Sequence, residues 1–247
     1  MELVIDIGNS SVKSALFINN GIHKVFRTQS ATEELHGQLH DFDVKMVIIS
    51  SVRVDNAEVI AFWKQHYPTL FLDHETPVPV INKYKTPETL GKDRLAAVIG
   101  ARFLYPSSPV LAIDAGTCIT YDLLTKNDEY LGGNISPGAR MRFRAMDEFT
   151  SALPLVNDYD FAQVFGQNTE ESMASGVING LVYEIEGAVT RYETEFPGLK
   201  SVLCGGEARY FVNHLKKEIF ANQNLVLLGL HKILIFNEQK LINSTAE

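Results

Sequence analysis

Two short acidic loops that contain glycine constrain the fold more than any other feature of this sequence. The first loop, residues 6–10, follows the apolar run at 3–5, and the second loop, residues 114–117, follows the apolar run at 110–113. After each loop the residues alternate between apolar and polar, which is typical of a half-buried strand. The same strand–loop–strand unit therefore occurs twice, and it predicts two related half-sites that face one ligand.

The duplication also predicts the fold class. Asp114 follows Asp6 by 108 positions, a period too long for a solenoid. Both parts of the chain begin with a predicted hairpin and continue with alternating strands and helices. This order favours an α/β fold with two related halves, each a mixed sheet flanked by helices. We expect the boundary just before Pro109, dividing residues 1–106 from residues 107–247.

Hydrophobic periodicity and turn residues give the individual elements. Strands are predicted over 3–7, 12–18, 23–27, 45–52, 69–72, 110–114, 118–124, 129–133, 201–203 and 225–228. Helices are predicted over 31–39, 56–66, 92–105, 138–149 and 170–195, from the glycine turn at 205–206 to residue 217, and at the C-terminus. Pro77, Pro79 and Pro87 predict a long extended connector that also carries Tyr84.

Composition limits the class of partner. The chain has 247 residues, 45% of them hydrophobic, which is ordinary for a globular protein. Its net charge of −8 disfavours nucleic acid and anionic membranes as partners. Arg140, Arg142 and Arg144 are a local exception, interpreted as a solvated or interface face.

Cysteine usage and hydropathy predict a cytoplasmic protein with no membrane partner. Cys118 and Cys204 are not in a metal-ligand spacing, and both are predicted to be reduced, small buried residues. No signal peptide is visible, and no apolar run is long enough to cross a bilayer.

The chemistry of the two loops suits the phosphates of a nucleotide. Glycine lets the backbone approach an anion closely. Lys13 can reach a β- or γ-phosphate, and an aspartate at the end of each strand can hold Mg²⁺ or its waters. Further side-chain donors are Asn9, Ser10, Ser11 and Thr117. Either loop alone could be an ordinary hairpin turn, but the pair occurs with Lys13 and a third glycine turn at residues 205–206. Neither a P-loop nor a Rossmann fingerprint is present.

A separate segment, residues 91–94, suggests the acceptor side of a reaction. Its sequence, Gly-Lys-Asp-Arg, opens a predicted helix. Arg94 is suited to bidentate binding of a carboxylate, and Asp93 could accept a proton from an alcohol. The alternative is a helix N-terminus with an acidic residue in its first turn, which is common.

In order and joint occurrence these segments resemble the type III pantothenate kinases, part of the superfamily of acetate kinase, sugar kinases, Hsp70 and actin. The resemblance covers essentially the whole chain. Its pieces are Asp6-x-Gly8-Asn9-Ser10-x-x-Lys13, the strand at 49–52, Tyr84, Gly91-x-Asp93-Arg94, Asp114-x-Gly116-Thr117-x-x-Thr120-x-Asp122, Gly132-Gly133-x-Ile135-x-Pro137-Gly138, Thr169 and Gly205-Gly206. Two departures are Ser10, where the family usually has threonine, and Cys118, where it often has alanine.

The resemblance implies a fold, a reaction and a set of site residues. The fold is a pair of actin-like (ribonuclease H-like) halves, each with a five-stranded mixed sheet. The reaction is ATP-dependent phosphorylation of pantothenate to 4'-phosphopantothenate, the first step of coenzyme A biosynthesis. The implied ATP site comprises Asp6, Ile7, Gly8, Asn9, Ser10, Ser11, Val12, Lys13 and Thr117, with Asp6 near Mg²⁺.

The same resemblance implies the acceptor site and the assembly. Asp93 resembles the general base. The implied contacts to pantothenate are Tyr84, Gly91, Lys92, Asp93, Arg94 and Thr169, with Arg94 facing the carboxylate of pantothenate. Thr169 is implied to act across a homodimer interface. Asp114 is implied to bind a monovalent cation, K⁺ or NH4⁺.

Alternatives remain open at this point. The superfamily includes other small-molecule kinases and phosphatases, so the fold alone does not decide the acceptor. A non-catalytic nucleotide-binding regulator is a third possibility. Asp122 is either a second catalytic acid or a hairpin residue that bonds its neighbours. The apolar side of helix 170–195 faces either the core or a partner subunit; it is formed by Met173, Val177, Leu181 and Ile185.

Overall fold

The computed structural model describes residues 1–8, 11–53, 55–157 and 163–244, without the side chains of 239–244. The first half contains β1 (Glu2–Ile7), β2 (Val12–Ile18), β3 (Gly21–Thr28), α1 (Glu33–His36), β4 (Met46–Ser51), α2 (Ala57–His66), β5 (Thr69–Phe71), β6 (Ile81–Asn82) and α3 (Lys92–Leu104). The second half contains β7 (Val110–Ala115), β8 (Cys118–Leu124), β9 (Glu129–Pro137), α4 (Ala139–Phe149), α5 (Thr169–Glu195), β10 (Lys200–Cys204), α6 (Ala208–Val212), β11 (Phe220–Ala221) and α7 (Leu225–Ser244).

The topology of the two sheets confirms the duplication. The first sheet has the order β3-β2-β1-β4-β5, and the second repeats it as β9-β8-β7-β10-β11. In both sheets the first three strands of this order are antiparallel and the remaining ones pair in parallel. The second sheet has one strand more than predicted, because β6 from the first half pairs in parallel with β9 at its edge.

Local sequence explains the best-formed elements. Leu3, Val4 and Ile5 of β1 are fully buried, because helices cover both faces of this strand. The turn between β2 and β3 places Asn19 and Asn20 at φ 49° and 66°. Asparagine tolerates this left-handed conformation better than most residues, and it is the conformation that tight hairpins require.

The core forms layers on either side of the sheets. One cluster lies between the two sheets and contains the buried faces of α3 and α7. The other two clusters cover the outer face of each sheet. The crossing of α3 and α7 depends on glycine: a Cβ at Gly100 would lie 2.2 Å from the Leu225 carbonyl oxygen, and one at Gly229 would lie 1.8 Å from the Ala96 oxygen.

The packing crosses the boundary that the sequence suggests. Helix α3 packs on β7 and β8 of the second sheet, and α7 packs on β1, β2 and β4 of the first. The division between residues 106 and 107 stays a prediction, because helices are exchanged across it. No helix in the described part of the chain is long and apolar enough to span a membrane.

Several predicted elements differ from the structure. The predicted strand at 225–228 is wrong: these residues form the first turn of α7. A short apolar run does not distinguish a strand from a buried helix, and packing on α3 decides in favour of the helix. Helices α1 and α6 are shorter than predicted, and β9 continues to Pro137. Both cysteines are free as predicted, but Cys118 is partly exposed rather than buried.

Candidate active site

Asp6 and Asp114 occupy equivalent positions in the two sheets. Asp6 lies near the end of β1 opposite Lys13, and Asp114 lies near the end of β7 opposite Thr120. Burial, followed by the negative charges of Asp93 and Asp114, raises the pKa of Asp6 to about 7, with Lys13 opposing. Burial and the charge of Asp93 raise the pKa of Asp114 to about 6. The twin loops of the sequence therefore converge on one site.

Asp93 joins the two loop aspartates from a third element. It is in the first turn of α3, where its Oδ1 accepts a hydrogen bond from the backbone N–H of Arg94 at 2.9 Å. Burial is the main cause that raises the pKa of Asp93, and the charge of Asp122 adds to it. Three carboxylates in mutual electrostatic contact form a site that favours binding of cations, because cations relieve their repulsion.

The first loop makes a tight turn beside these carboxylates. The Gly8 N–H donates to the Ser11 carbonyl at 3.1 Å, and Arg53 Nε donates to the Gly8 carbonyl at 3.1 Å. The side chains of Ile7 and Val12 are buried, so these two residues can offer only backbone groups to a ligand. The predicted donors Asn9 and Ser10 lie outside the described residues.

Lys13 points from β2 into the same region. Its Nζ donates to the backbone carbonyl of Gln223, in the loop between β11 and α7. Burial and the nearby Arg27 lower the pKa of Lys13, while Asp6 and Asp114 act in the opposite direction. Lys13 is therefore a buried cation whose electrostatic neighbours include both loop aspartates.

The second loop holds Asp114 in close packing. The thiol of Cys204, opposite Asp114 in the parallel pairing of β10 with β7, hydrogen-bonds to its carboxylate. Gly205 has φ +93°, and a Cβ there would lie 2.4 Å from Asp114 Oδ1. Thr117 is exposed at the tip of the loop, and its carbonyl accepts from the Gly138 N–H at 3.1 Å.

Arg94 is already engaged along one edge of its guanidinium group. Nε and Nη2 donate to Asp122 at distances of 2.8–3.2 Å, and the hydroxyl of Tyr130 donates to Asp122 Oδ1 at 2.8 Å. The guanidinium carbon lies 5.6 Å from the centre of the Tyr84 ring. Asp122 is therefore a side chain that bonds its neighbours, which was one of the two interpretations of the sequence.

The remaining predicted acceptor residues are dispersed. Gly91 and Lys92 line a small cleft of about 80 Å³ together with Leu72 and Leu95. Thr169 is exposed at the start of α5 and lines a groove of about 770 Å³ with Arg142 and Met173. Among the described residues lining this groove, none belongs to the segment 91–94.

The apolar side of helix α5, which could have faced either the core or a partner subunit, faces the core. Met173, Val177, Leu181 and Ile185 are buried in the core cluster of the second sheet. The opposite side of α5 is exposed at Gly176 and Gly187, and Tyr183 there is 62% exposed.

Three residues of the site were not found from the sequence. Arg53 contacts the first loop, Gln223 contacts Lys13, and Tyr130 contacts Asp122. Arg53 and Gln223 reach the site from elements distant in sequence, whereas Tyr130 is on β9, the strand that follows β8 of Asp122. No short pattern around any of them indicates the contact.

The side chains available as metal ligands limit which metal ions the site could hold. Among the described residues, no group of three or more His, Cys, Asp or Glu forms a metal cage. Magnesium in nucleotide sites typically uses one or two carboxylates, completed by phosphate oxygens and water. Asp6, near the end of β1, can supply one such carboxylate.

Comparison with solved structures defines the class of protein. A conserved Baf family protein from Campylobacter jejuni, described as a transcriptional activator, superposes with a TM-score of 0.64 at 23% identity, covering 96% of this chain and 99% of that one. A ROK family glucokinase from Streptomyces griseus, in complex with glucose and AMPPNP, superposes with a TM-score of 0.55 at 12% identity, covering 96% and 99%. At these identities the likeness concerns the fold alone, an α/β fold of two related halves that this chain shares with these proteins.

Sequence comparison identifies the family within this class. The family model for type III pantothenate kinase matches residues 2–191. A type III pantothenate kinase from Phocaeicola vulgatus is 44% identical over 242 residues, covering 97% of this chain and 100% of the relative. One from Christiangramia forsetii is 42% identical over 241 residues, covering 96% and 99%. The chain belongs to the type III pantothenate kinase family.

Proposed function

We propose that this protein transfers the γ-phosphoryl group of ATP to the hydroxyl of pantothenate, giving 4'-phosphopantothenate in the first step of coenzyme A biosynthesis. The observation that best supports the proposal is the convergence of Asp93 with Asp6 and Asp114. In a chain of this family, that convergence brings a base next to two nucleotide loops. Phosphoryl transfer needs mainly positioning and neutralisation of charge, and this set of groups suits both.

Asp93 is the proposed general base. Its position in the first turn of α3 orients the carboxylate, because Oδ1 accepts a hydrogen bond from the Arg94 backbone N–H. Because its pKa is raised, the carboxylate of Asp93 is a stronger base than the carboxylate of an ordinary aspartate. Asp93 therefore orients the hydroxyl and takes its proton as the new P–O bond forms.

The phosphates of ATP lie, in this proposal, between the two loops. Lys13 is proposed to donate to phosphate oxygens and to stabilise the charge of the transferring group, with amides of the first loop as further donors. Mg²⁺ held beside Asp6 would neutralise part of the phosphate charge. Asp114 would hold a monovalent cation, K⁺ or NH4⁺, because burial and the charge of Asp93 disfavour its negative charge and a bound cation would compensate it. Thr117 at the loop tip would donate to ATP.

Pantothenate is proposed to lie along the start of α3. The free edge of Arg94 faces its carboxylate, and Tyr84 and residues 91–93 form the wall of the site. Thr169 is proposed to reach a neighbouring subunit's site in a homodimer, which accounts for its distance from residues 91–94 within one chain. The reduced cysteines and the use of ATP agree with a cytoplasmic enzyme.

A direct assay tests the reaction. Purified protein with ATP, Mg²⁺ and pantothenate should release ADP and form a product heavier by one phosphate group, and omission of K⁺ and NH4⁺ should lower the rate. Faster turnover of another alcohol in a substrate panel would favour a different kinase of the superfamily. ATP binding without turnover of any acceptor would favour a regulatory protein.

A mixing experiment tests the homodimer and Thr169 together. Thr169→Ala and Asp93→Asn should each be strongly impaired alone. If Thr169 acts across the interface, mixed dimers contain one intact site, so activity should recover to about a quarter of the wild-type rate after subunit exchange. No recovery, with dimers verified by light scattering, would place Thr169 in its own chain's site or outside the site.

A further inference from the structure

Among the described residues, Asp122 is a fully buried acidic side chain near the site that the proposed mechanism does not use. It lies in the middle of β8 with none of its surface exposed. Its two oxygens take three hydrogen bonds from Arg94 and one from Tyr130. The charge of Asp122 contributes to raising the pKa of both Asp93 and Asp114, so Asp122 lies near these two carboxylates.

The geometry of the ion pair leaves part of Arg94 available. Asp122 takes the side of the guanidinium formed by Nε and Nη2, with Nη2 at 2.8 Å and Nε at 3.0 Å from Oδ1. Nη1 has no hydrogen bond to Asp122. The Tyr84 ring lies 5.6 Å from the guanidinium carbon, so the plane of the group is restrained by an aromatic contact as well. Tyr84 also hydrogen-bonds to the Arg94 side chain. A guanidinium held on one edge and beside a ring keeps a fixed orientation, and Nη1, which does not bond Asp122, remains the nitrogen that could donate to a second carboxylate.

Stability alone is a weak reason for this arrangement. A buried ion pair loses about as much in desolvation as it gains in attraction, and apolar residues of similar size often replace such pairs without loss of stability. Burial works against the charge of Arg94, yet the hydrogen bonds that it donates to Asp122, together with the negative charge of Asp122, still raise the Arg94 pKa above its ordinary value. The pair keeps a permanently charged donor at the first turn of α3, next to Asp93.

We propose that Asp122 is a positioning residue: it holds the Nε–Nη2 edge of Arg94 so that the outer edge of the guanidinium is presented to the carboxylate of the acceptor. The inference rests on the proposed function, since it takes pantothenate as the acceptor. Tyr130 supports the arrangement by donating to the same Asp122 oxygen that Arg94 uses. Asp122 would therefore determine preference for an acceptor with a carboxylate, without touching the reacting atoms.

The test compares two acceptors that differ only at the carboxylate. Pantothenate and pantothenyl alcohol share the hydroxyl that would be phosphorylated, but the alcohol has a hydroxymethyl group in place of the carboxylate. In Asp122→Asn, the ratio of kcat/KM for pantothenate to that for the alcohol should fall by about tenfold or more, because a charge-assisted contact is lost. The KM for ATP should stay within about twofold.

A matched control is available on the same pair of elements. Asp128, in the turn after β8, pairs with Arg102 of α3 at 2.6 Å, far along the helix from Asp93. Asp128→Asn also removes a carboxylate that pairs with an arginine of α3, at a more exposed position, and should leave the acceptor ratio unchanged. An equal loss of efficiency with both acceptors in Asp122→Asn would reduce Asp122 to a structural role and overturn the inference.

A milder variant covers the case in which Asp122→Asn does not fold. Tyr130→Phe removes one hydrogen bond to Asp122 and leaves both charges in place. It should lower the acceptor ratio by about threefold, and an unchanged ratio in the folded variant would overturn the inference. Failure of the wild type to phosphorylate either acceptor would refute the proposed function and the inference with it. A wild type that prefers pantothenate, with no change of ratio in the variants, refutes the inference alone.

Discussion

Lys13 Nζ donates a hydrogen bond to the carbonyl oxygen of Gln223, 210 residues further along the chain. Lys13 is in β2 of the first sheet, and Gln223 lies just before α7, the helix of the second half that packs on the first sheet. The contact joins the two halves at the site where phosphates are proposed to bind. Because a lysine has three donor hydrogens, Lys13 can bind a phosphate oxygen while keeping this contact or exchange one for the other.

Replacement of Lys13 by Met should therefore impair catalysis and nucleotide binding together. Loss of one charged donor to the transferring group should lower kcat by about 10²–10³-fold, and the KM for ATP should rise. Steady-state kinetics with varied ATP measures both. Lys45→Met, at an exposed position before β4, is the matched control. A kcat within twofold of wild type would show that Lys13 does not contact the transferring phosphoryl group.

Replacement of Asp93 by Asn should remove the base and keep the shape of the site. We expect kcat to fall by about 10²–10⁴-fold, with little change in the KM for pantothenate. The unfolding temperature should not fall, because the buried carboxylate is in electrostatic conflict with its neighbours. Asp41→Asn, an exposed carboxylate outside the site, is the control. A variant as active as wild type would remove Asp93 from the mechanism.

The stability of the protein without added cations should depend on pH through Asp6 and Asp114. Their pKa values are raised from 3.8 to about 7 and about 6, so they favour the folded state fully below pH 3.8. This contribution is lost as the pH rises through the folded values. Between pH 5 and 8 the unfolding temperature of wild type should fall relative to that of Asp114→Asn, in calorimetry at matched ionic strength.

Added cations should reverse this loss. Mg²⁺ and K⁺ stabilise ionised carboxylates, so they should raise the unfolding temperature more at pH 8 than at pH 5. The K⁺ effect should be smaller in Asp114→Asn. An equal effect of both cations at both pH values, unchanged by the substitution, would mean that the ions act elsewhere.

Substitutions at Gly205 and Gly198 distinguish steric crowding of an added Cβ from backbone strain at positive φ. Both residues have a positive φ, +93° at Gly205 and +81° at Gly198. A Cβ at Gly205 would lie 2.4 Å from both Asp114 Oδ1 and the Ala115 carbonyl oxygen, whereas a Cβ at Gly198 would have no atom within 4 Å. Gly198→Ala should cost about 1–2 kcal/mol of unfolding free energy in denaturant titrations. Gly205→Ala should cost clearly more and should raise the K⁺ concentration needed for half-maximal activity. Equal costs would mean that the turn at Gly205 relaxes away from Asp114.

Features encoded within short stretches of sequence were predicted well. The hairpins of both halves follow from alternating residues and turn chemistry, and the structure has β1–β2 and β7–β8 where they were expected. The start of α3 at Lys92 places Asp93 and Arg94 in its first turn, as predicted. The repeated loop was enough to predict two sheets of the same order, because each unit is specified by its own periodicity.

Contacts between distant segments were decided only by the tertiary structure. Residues 225–228 form a helix because they pack on α3. Strand β6 joins the second sheet because the free edge of β9 is available for pairing. Asp122 could be assigned as the partner of Arg94 only when β8 was placed against α3. Sequence by itself determined the local units and the residue types of the site. Which groups face each other across the site depends on how the two sheets enclose α3 and α7, because non-local packing selects these contacts and no short window of sequence encodes it.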